Sequence, residues 1–169
     1  MSREIEFRGK QLYGGNGWCF GFYSEVSALN LPYITKRGET KGHEIIPETV
    51  GQFSGFFAAN DEKIYTGDVI ARFVRDEKNA EPRRLGVFEV VYCKGGFRLK
   101  DKHAYEMGWD GCHIEDSFRQ LDELKREVPS KELFVKKLGN IHDNPELLKE
   151  FESECRRFWE ELKKQTGGE

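Results

Sequence analysis

Period-two alternation recurs along this chain, and glycine or proline breaks it every few residues; that combination points to many short strands. The clearest case is "KIYTGDVIARFVR". Val69, Ala71 and Phe73 fall on one side of it, Ile70, Arg72 and Val74 on the other. "REIEFRGK" sets Ile5 and Phe7 against Glu4, Glu6 and Arg8, as a half-buried strand does. "GWCFGFYS" is an aromatic-rich strand entered through "YGGNG". A short extended piece is predicted around Tyr33–Thr35, and Pro47 marks an edge or bulge within "HEIIPETVGQFSG". "GVFEVVYCKGGFRLK" reads as a hairpin, Val87–Tyr92 turning at Gly95 and Gly96 into Phe97–Leu99. "ELFVKKLGNI" is a last strand.

Helix is predicted in two places. Phe118, Leu121 and Leu124 recur at intervals of three, giving a short helix from about Ser117 to Glu127 that stops before Pro129. "NPELLKEFESECRRFWEELKKQ" has Asn144 as N-cap, Pro145 at the first helical position and Glu146 in the first turn. Leu147, Phe151, Cys155, Phe158 and Leu162 form its apolar stripe. The expectation is one mainly β (α+β) domain, with a β core over about 1–142 and a C-terminal amphipathic helix over about 144–165.

A chain of 169 residues can bury a core without staples. Phe, Trp and Tyr make up 13% of it and charged residues 34%, so a small aromatic core under an ionised surface is expected. The net charge of −3 argues against a basic field over the whole molecule. Cys19, Cys93, Cys112 and Cys155 are scattered and form no CxxC pair, as reduced thiols would be. The opening "MSREIEFRGK" lacks the apolar region of a secretory signal, and no apolar run reaches the roughly 20 residues of a membrane span. A soluble, cytoplasmic protein with no membrane partner is expected.

The stretch "GQFSGFFAANDEKIYTGDV", Gly51 to Val69, admits two readings, a ligand-cradling loop or a strand–turn–strand unit. No phosphate-loop pattern is present, and Gly67-Asp68 after a strand suits a corner in which Asp68 bonds nearby backbone amides. The structural reading is favoured.

The same stretch resembles the central motif of the YopX-like family of phage and prophage proteins. That motif runs Gln-aromatic-Thr-Gly, a polar turn, then Ile-Tyr-Glu-Gly-Asp-Val. It corresponds here to Gln52, Phe53, Ser54 and Gly55, then Ile64, Tyr65, Thr66, Gly67, Asp68 and Val69. "REIEFR" at Arg3–Arg8 resembles the family's opening strand. "LGNIHDNPELL" at Leu138–Leu148 resembles its closing Gly-Asn-Ile-x-x-Asn-Pro-Glu-Leu signature. The resemblance implies an SH3-like barrel core in a phage-derived protein and carries over no catalytic residue. The chain departs from the family where the turn reads Phe57-Ala58-Ala59-Asn60-Asp61 instead of a polar sequence.

Candidate chemistry is sparse. "WDGCHIED" gathers Asp110, Cys112, His113, Glu115 and Asp116, but Cys112 and His113 point to opposite faces of an extended chain, which suits a polar turn better than a metal site. Nothing aligns a Cys–His nucleophile pair or a serine elbow. No catalytic residue, metal site or cofactor is expected. Ile70–Lys102 holds nine Lys or Arg against five acids with aromatics interleaved, so Arg72, Arg83, Arg84, Lys94 and Arg98 are candidate nucleic-acid contacts. Phe56, Phe57 and Trp159 are candidate contacts for a protein partner, a second copy of the chain foremost. The first expectation is a non-enzymatic interaction module that forms homo-oligomers; a nucleic-acid-binding barrel is the alternative.

Overall fold

The computed structural model describes residues 4–14, 17–26, 31–76, 81–101, 111–127 and 131–147. These form two antiparallel sheets. The first contains β1 (Phe7–Lys10), β2 (Trp18–Val26), β3 (Leu31–Thr35), β4 (His43–Glu44), β5 (Gly51–Phe57) and β6 (Lys63–Tyr65), in the order β4-β3-β2-β1-β5-β6. The second contains β7 (Asp68–Asp76), β8 (Arg83–Cys93), β9 (Gly96–Lys100), β10 (Cys112–His113) and β11 (Lys131–Asn140), in the order β10-β9-β8-β7-β11. Helix α1 (Ile114–Glu127) lies between β10 and β11 in the chain. The fold is therefore mainly β, as the alternation predicts. The sheets are separate, and no closed barrel forms among the described strands.

The first sheet curls. Beyond β1, Leu12 N–H donates to Glu44 O at 2.8 Å, and Ile46 N–H donates to Lys10 O at 2.8 Å, so the end of β4 returns to β1 through a Gln11–Ile45 bridge. Gly9 makes this approach feasible, because a Cβ there would sit 2.2 Å from Ile45 Cγ2. Cys19, Ile34 and Ile45 are fully buried inside the curl, with Phe7 and Val50 packed against them.

The run predicted as one strand, "KIYTGDVIARFVR", is two. It changes sheets at Thr66–Gly67. Thr66 N–H still bonds Gln52 O of the first sheet at 3.0 Å, whereas Gly67 N–H bonds Val90 O of the second at 2.8 Å. Gly67 takes the left-handed φ of +82° that this corner demands. Within β7 the predicted faces hold. Val69 and Ala71 pack with Val87 and Phe73 on one side; Ile70 and Val74 join Phe88, Val90 and Leu99 on the other. The β8–β9 hairpin turns through Lys94 and Gly95, both at positive φ, as a two-residue type I′ turn requires.

Helix α1 begins three residues earlier than Ser117, directly after the short β10–β9 pairing, with Glu115 and Asp116 in its first turn. Buried Ile114 and half-buried Phe118 fix it to the Ile70 face, and Phe118 meets Phe56 at 4.7 Å between ring centroids. Ala58 and Ile64 of the first sheet's final hairpin belong to the same cluster, so one core joins the sheets. Of the predicted C-terminal helix, Glu146 and Leu147 are helical; the remainder, with Cys155 and Trp159, lies outside the described residues. No helix among the described residues is long and apolar enough to cross a membrane.

Candidate functional site

The apolar side of β1 turns inward at Phe7, which packs on the Cys19–Ile34–Ile45 cluster, while Ile5, ahead of the strand, is 61% exposed. The other side is not left to solvent, since Arg8 is 2% exposed. The charged side of β1 faces the junction between the sheets, and there the three landmarks of the sequence meet.

Arg8 comes from the opening strand. Its Nη1 lies 2.6 Å from Oδ1 of Asp68, from the central motif, and its Nη2 donates to Thr66 O at 3.2 Å. Asp68 is completely buried. Its Oδ2 accepts Tyr65 N–H at 2.8 Å and pairs with Lys137 Nζ at 3.1 Å, so the corner aspartate bonds a backbone amide as predicted and also anchors two cations. The Arg8–Asp68 contact is an ion pair without hydrogen-bond alignment: Arg8 Nε and Asp68 Oδ1 have no hydrogen-bond partner. The guanidinium lies between two rings, 4.5 Å from Trp18 and 5.0 Å from Tyr65. The Tyr65 hydroxyl donates to Glu6; burial, and then that bond to a carboxylate, push its phenol far above the ordinary range. Lys63 spans Glu4 and Glu6 at 3.1 and 3.0 Å.

The closing signature completes the junction. Asn140 Oδ1 accepts the N–H groups of His142 and Asp143, both at 2.9 Å, and Ile141 N–H donates to Gly67 O at 2.9 Å. Asp143 pairs with Lys10 and accepts from Trp18 Nε1 at 2.8 Å and Asn140 Nδ2 at 2.7 Å. Desolvation opposes its charge, but the hydrogen bonds from Asn140, Lys10 and Trp18 outweigh this and hold its pKa to about 2, below the ordinary 3.8. A depressed acid stabilises the fold above its ordinary pKa and loses that contribution as pH falls through the folded value. Asp143→Asn is therefore expected to lower Tm at neutral pH. The gap from the unsubstituted protein should close between pH 3.8 and about 2 in a pH series of thermal melts.

The charges of these groups pair with one another, although Arg8 Nε and Asp68 Oδ1 lack hydrogen-bond partners, and the arrangement is a clamp between sheets. Beside it is an accessible surface of a different kind. Trp18, Phe20 and Phe22 share the side of the first sheet that carries Arg8 and Lys10, opposite the Cys19 side that lines the inside of the curl. Two buried rings link the exposed Phe20 to the exposed Phe57: Phe20 meets Tyr65 at 5.7 Å, Tyr65 meets Phe53 at 5.6 Å, and Phe53 meets Phe57 at 5.3 Å. Phe20, Phe22 and Phe57 are 45%, 60% and 46% exposed.

Of the contact residues predicted for a protein partner, Phe57 belongs to this face. Phe56 is packed against the core, Ala58 lies within it, and Trp159 lies outside the described residues. The apolar "FFAA" is thus divided: Phe56 and Ala58 pack inward, Phe57 and Ala59 are exposed, and Ala59 N–H bonds Val135 O of β11 at 2.9 Å. The predicted basic contacts do not form one surface. Arg72 points to the α1 face, donates to Ser117 Oγ at 3.3 Å and lies 4.5 Å from the Phe88 ring. Arg83, across from Val74, shares that face; Arg84, across from Phe73, and Arg98, across from Val91, lie on the opposite one. Arg98 donates to Gly111 O at 3.2 Å, and Lys94 sits at the hairpin turn. Cys112 and His113 are exposed neighbours on β10. Among the described residues no three His, Cys, Asp or Glu side chains group as metal ligands.

Sequence reasoning missed Arg8, Lys137 and the Phe20–Phe22 row. A signal for the row was present: Cys19 and Gly21 alternate with the aromatics, and small residues belong on the inside of a tight curl. A Cβ on Gly21 would lie 2.1 Å from Thr35 O. No curated protein matches the chain. A family model described as YopX protein matches residues 8–149, which include Arg8, the Gly51–Val69 motif and the closing signature that together build the clamp. The chain belongs to the YopX protein family.

Proposed function

We propose that this chain is a non-enzymatic protein-interaction module, phage-derived and cytoplasmic, whose contact surface is the aromatic face of the first sheet. Its first partner is a second copy of itself. The observation that carries this reading is the exposure of Phe20, Phe22 and Phe57 beside a rigid clamp. Aromatic side chains grouped on one face are typical anchors of protein contacts. The clamp's ionisable groups are paired with one another, which suits a scaffold for such a face better than a reacting centre.

The SH3-like barrel belongs to the same reading. The Gln11–Ile45 bridge and the buried Cys19, Ile34 and Ile45 support a curled first sheet as its core. Nucleic-acid binding remains the alternative, but its proposed cations are divided between the two faces of the second sheet. Cations near the aromatic row already have acids: Lys10 with Asp143, Lys63 with Glu4 and Glu6. A phosphate backbone would have to displace them.

Sedimentation velocity of the protein and of a Phe20→Ser/Phe22→Ser variant tests this. The unsubstituted protein is expected to sediment faster as concentration rises, while the variant stays monomeric with an unchanged circular dichroism spectrum. A monomer at all concentrations, or equal association by the variant, would overturn the reading.

A further inference from the structure

The turn Ile141–Asp143 fastens the end of β11 to the first sheet, and His142 occupies its centre. The imidazole lies against the Trp18 indole, 6.2 Å between centroids. That ring also carries Arg8 at 4.5 Å and Lys10 at 5.7 Å, and its Nε1–H is held by Asp143. The imidazole lies over Gly67, whose Cβ position is 3.5 Å from His142 Nε2, an ordinary contact distance. The charged groups facing His142 are Arg8 and Lys10 from β1, Asp143 from its own turn, and Glu48 from the 3-10 turn at Pro47–Thr49.

We propose that His142 is a proton-operated latch on the contact face: protonation adds a third cation around Trp18, releases the turn, and uncovers the indole at the end of the Trp18–Phe20–Phe22 row. Mild acid would then enlarge the surface offered to a second copy. The regulatory part rests on the aromatic row being the contact face. Burial, then the charges of Arg8 and Lys10, hold the His142 pKa below its ordinary 6.5. The latch is closed above that value and opens as pH falls below it. Asp143 keeps its charge down to about 2 and does not open the turn in this range.

The test uses the full chain with Trp109→Phe and Trp159→Phe, leaving Trp18 as the one indole. On acidification from about pH 8 to about pH 5, emission should shift to the red with a midpoint below 6.5. His142→Phe in the same background should stay flat. No shift, or the same shift without His142, would overturn the latch. Should either variant fold poorly, NMR of the unsubstituted protein decides: the His142 ring and the Trp18 Nε1–H should titrate together, and separate midpoints would overturn the proposal. Both readouts are made on dilute monomer, so their failure leaves the Phe20/Phe22 sedimentation test standing. Where Trp18 does move, association should tighten in acid; unchanged association would overturn the regulatory part.

Discussion

Replacing Asp68 with Asn is expected to cost about 3–5 kcal/mol of folding stability, the range for removing one partner of a buried ion pair. The amide fills the same volume and can still accept the Tyr65 N–H. It cannot offset Arg8, whose side chain is 3% exposed and sits beneath Trp18 and Tyr65. A buried guanidinium without its counterion is the main cost, and Lys137 loses its nearest acid as well. Domains of this size are typically stable by about 5–15 kcal/mol, so the variant would retain a small fraction of its margin. Urea titration measures it: the midpoint should fall sharply with little change in slope. A loss below about 1 kcal/mol would mean that the pair contributes no more than an exposed one.

Gly51→Ala is the second large effect. A Cβ at this buried position would stand 2.5 Å from Thr66 O and 3.5 Å from Arg8 Nε. Thr66 O is a backbone atom that accepts Arg8 Nη2, so it cannot swing aside without opening the clamp. A methyl group forced into such a contact costs about 1–3 kcal/mol. Gly17→Ala is the matched control: nothing lies within 4 Å of its Cβ position, and its expected effect is within about 0.5 kcal/mol. Equal thermal shifts in the two variants would count against the close approach at Gly51.

Much of the second sheet was legible because its signals are local. The two faces of β7 follow from alternation alone, and the glycines mark the β8–β9 hairpin, whose turn sits at Lys94–Gly95, one residue before the predicted Gly95–Gly96. The first sheet was harder to read. Phe7 alternates against the acids and Arg8 and packs inward as read, yet Arg8 on the other side is buried too, because its partner Asp68 lies on β7, which no local pattern encodes. The sheet change at Thr66–Gly67 was hidden for a similar reason: a left-handed glycine can bend a strand or end it, and the partner strands decide which. "FFAA" looked like surplus surface because its turn is apolar; Phe118 and the common core take up Phe56 and Ala58. The basic stretch looked like one face because charge was counted along the chain, whereas period two divides it between both sides of a sheet.

The ligand-loop reading of Gly51–Val69 thus gives way to a corner whose aspartate joins two sheets. The most direct test is a double-mutant cycle on Arg8→Leu and Asp68→Leu by urea unfolding. Each single variant should lose about 3–5 kcal/mol, and the double variant should lose clearly less than their sum, with a coupling of about 2 kcal/mol or more. Losses that add to within about 0.5 kcal/mol would contradict a buried Arg8–Asp68 clamp as what the opening and central motifs build together.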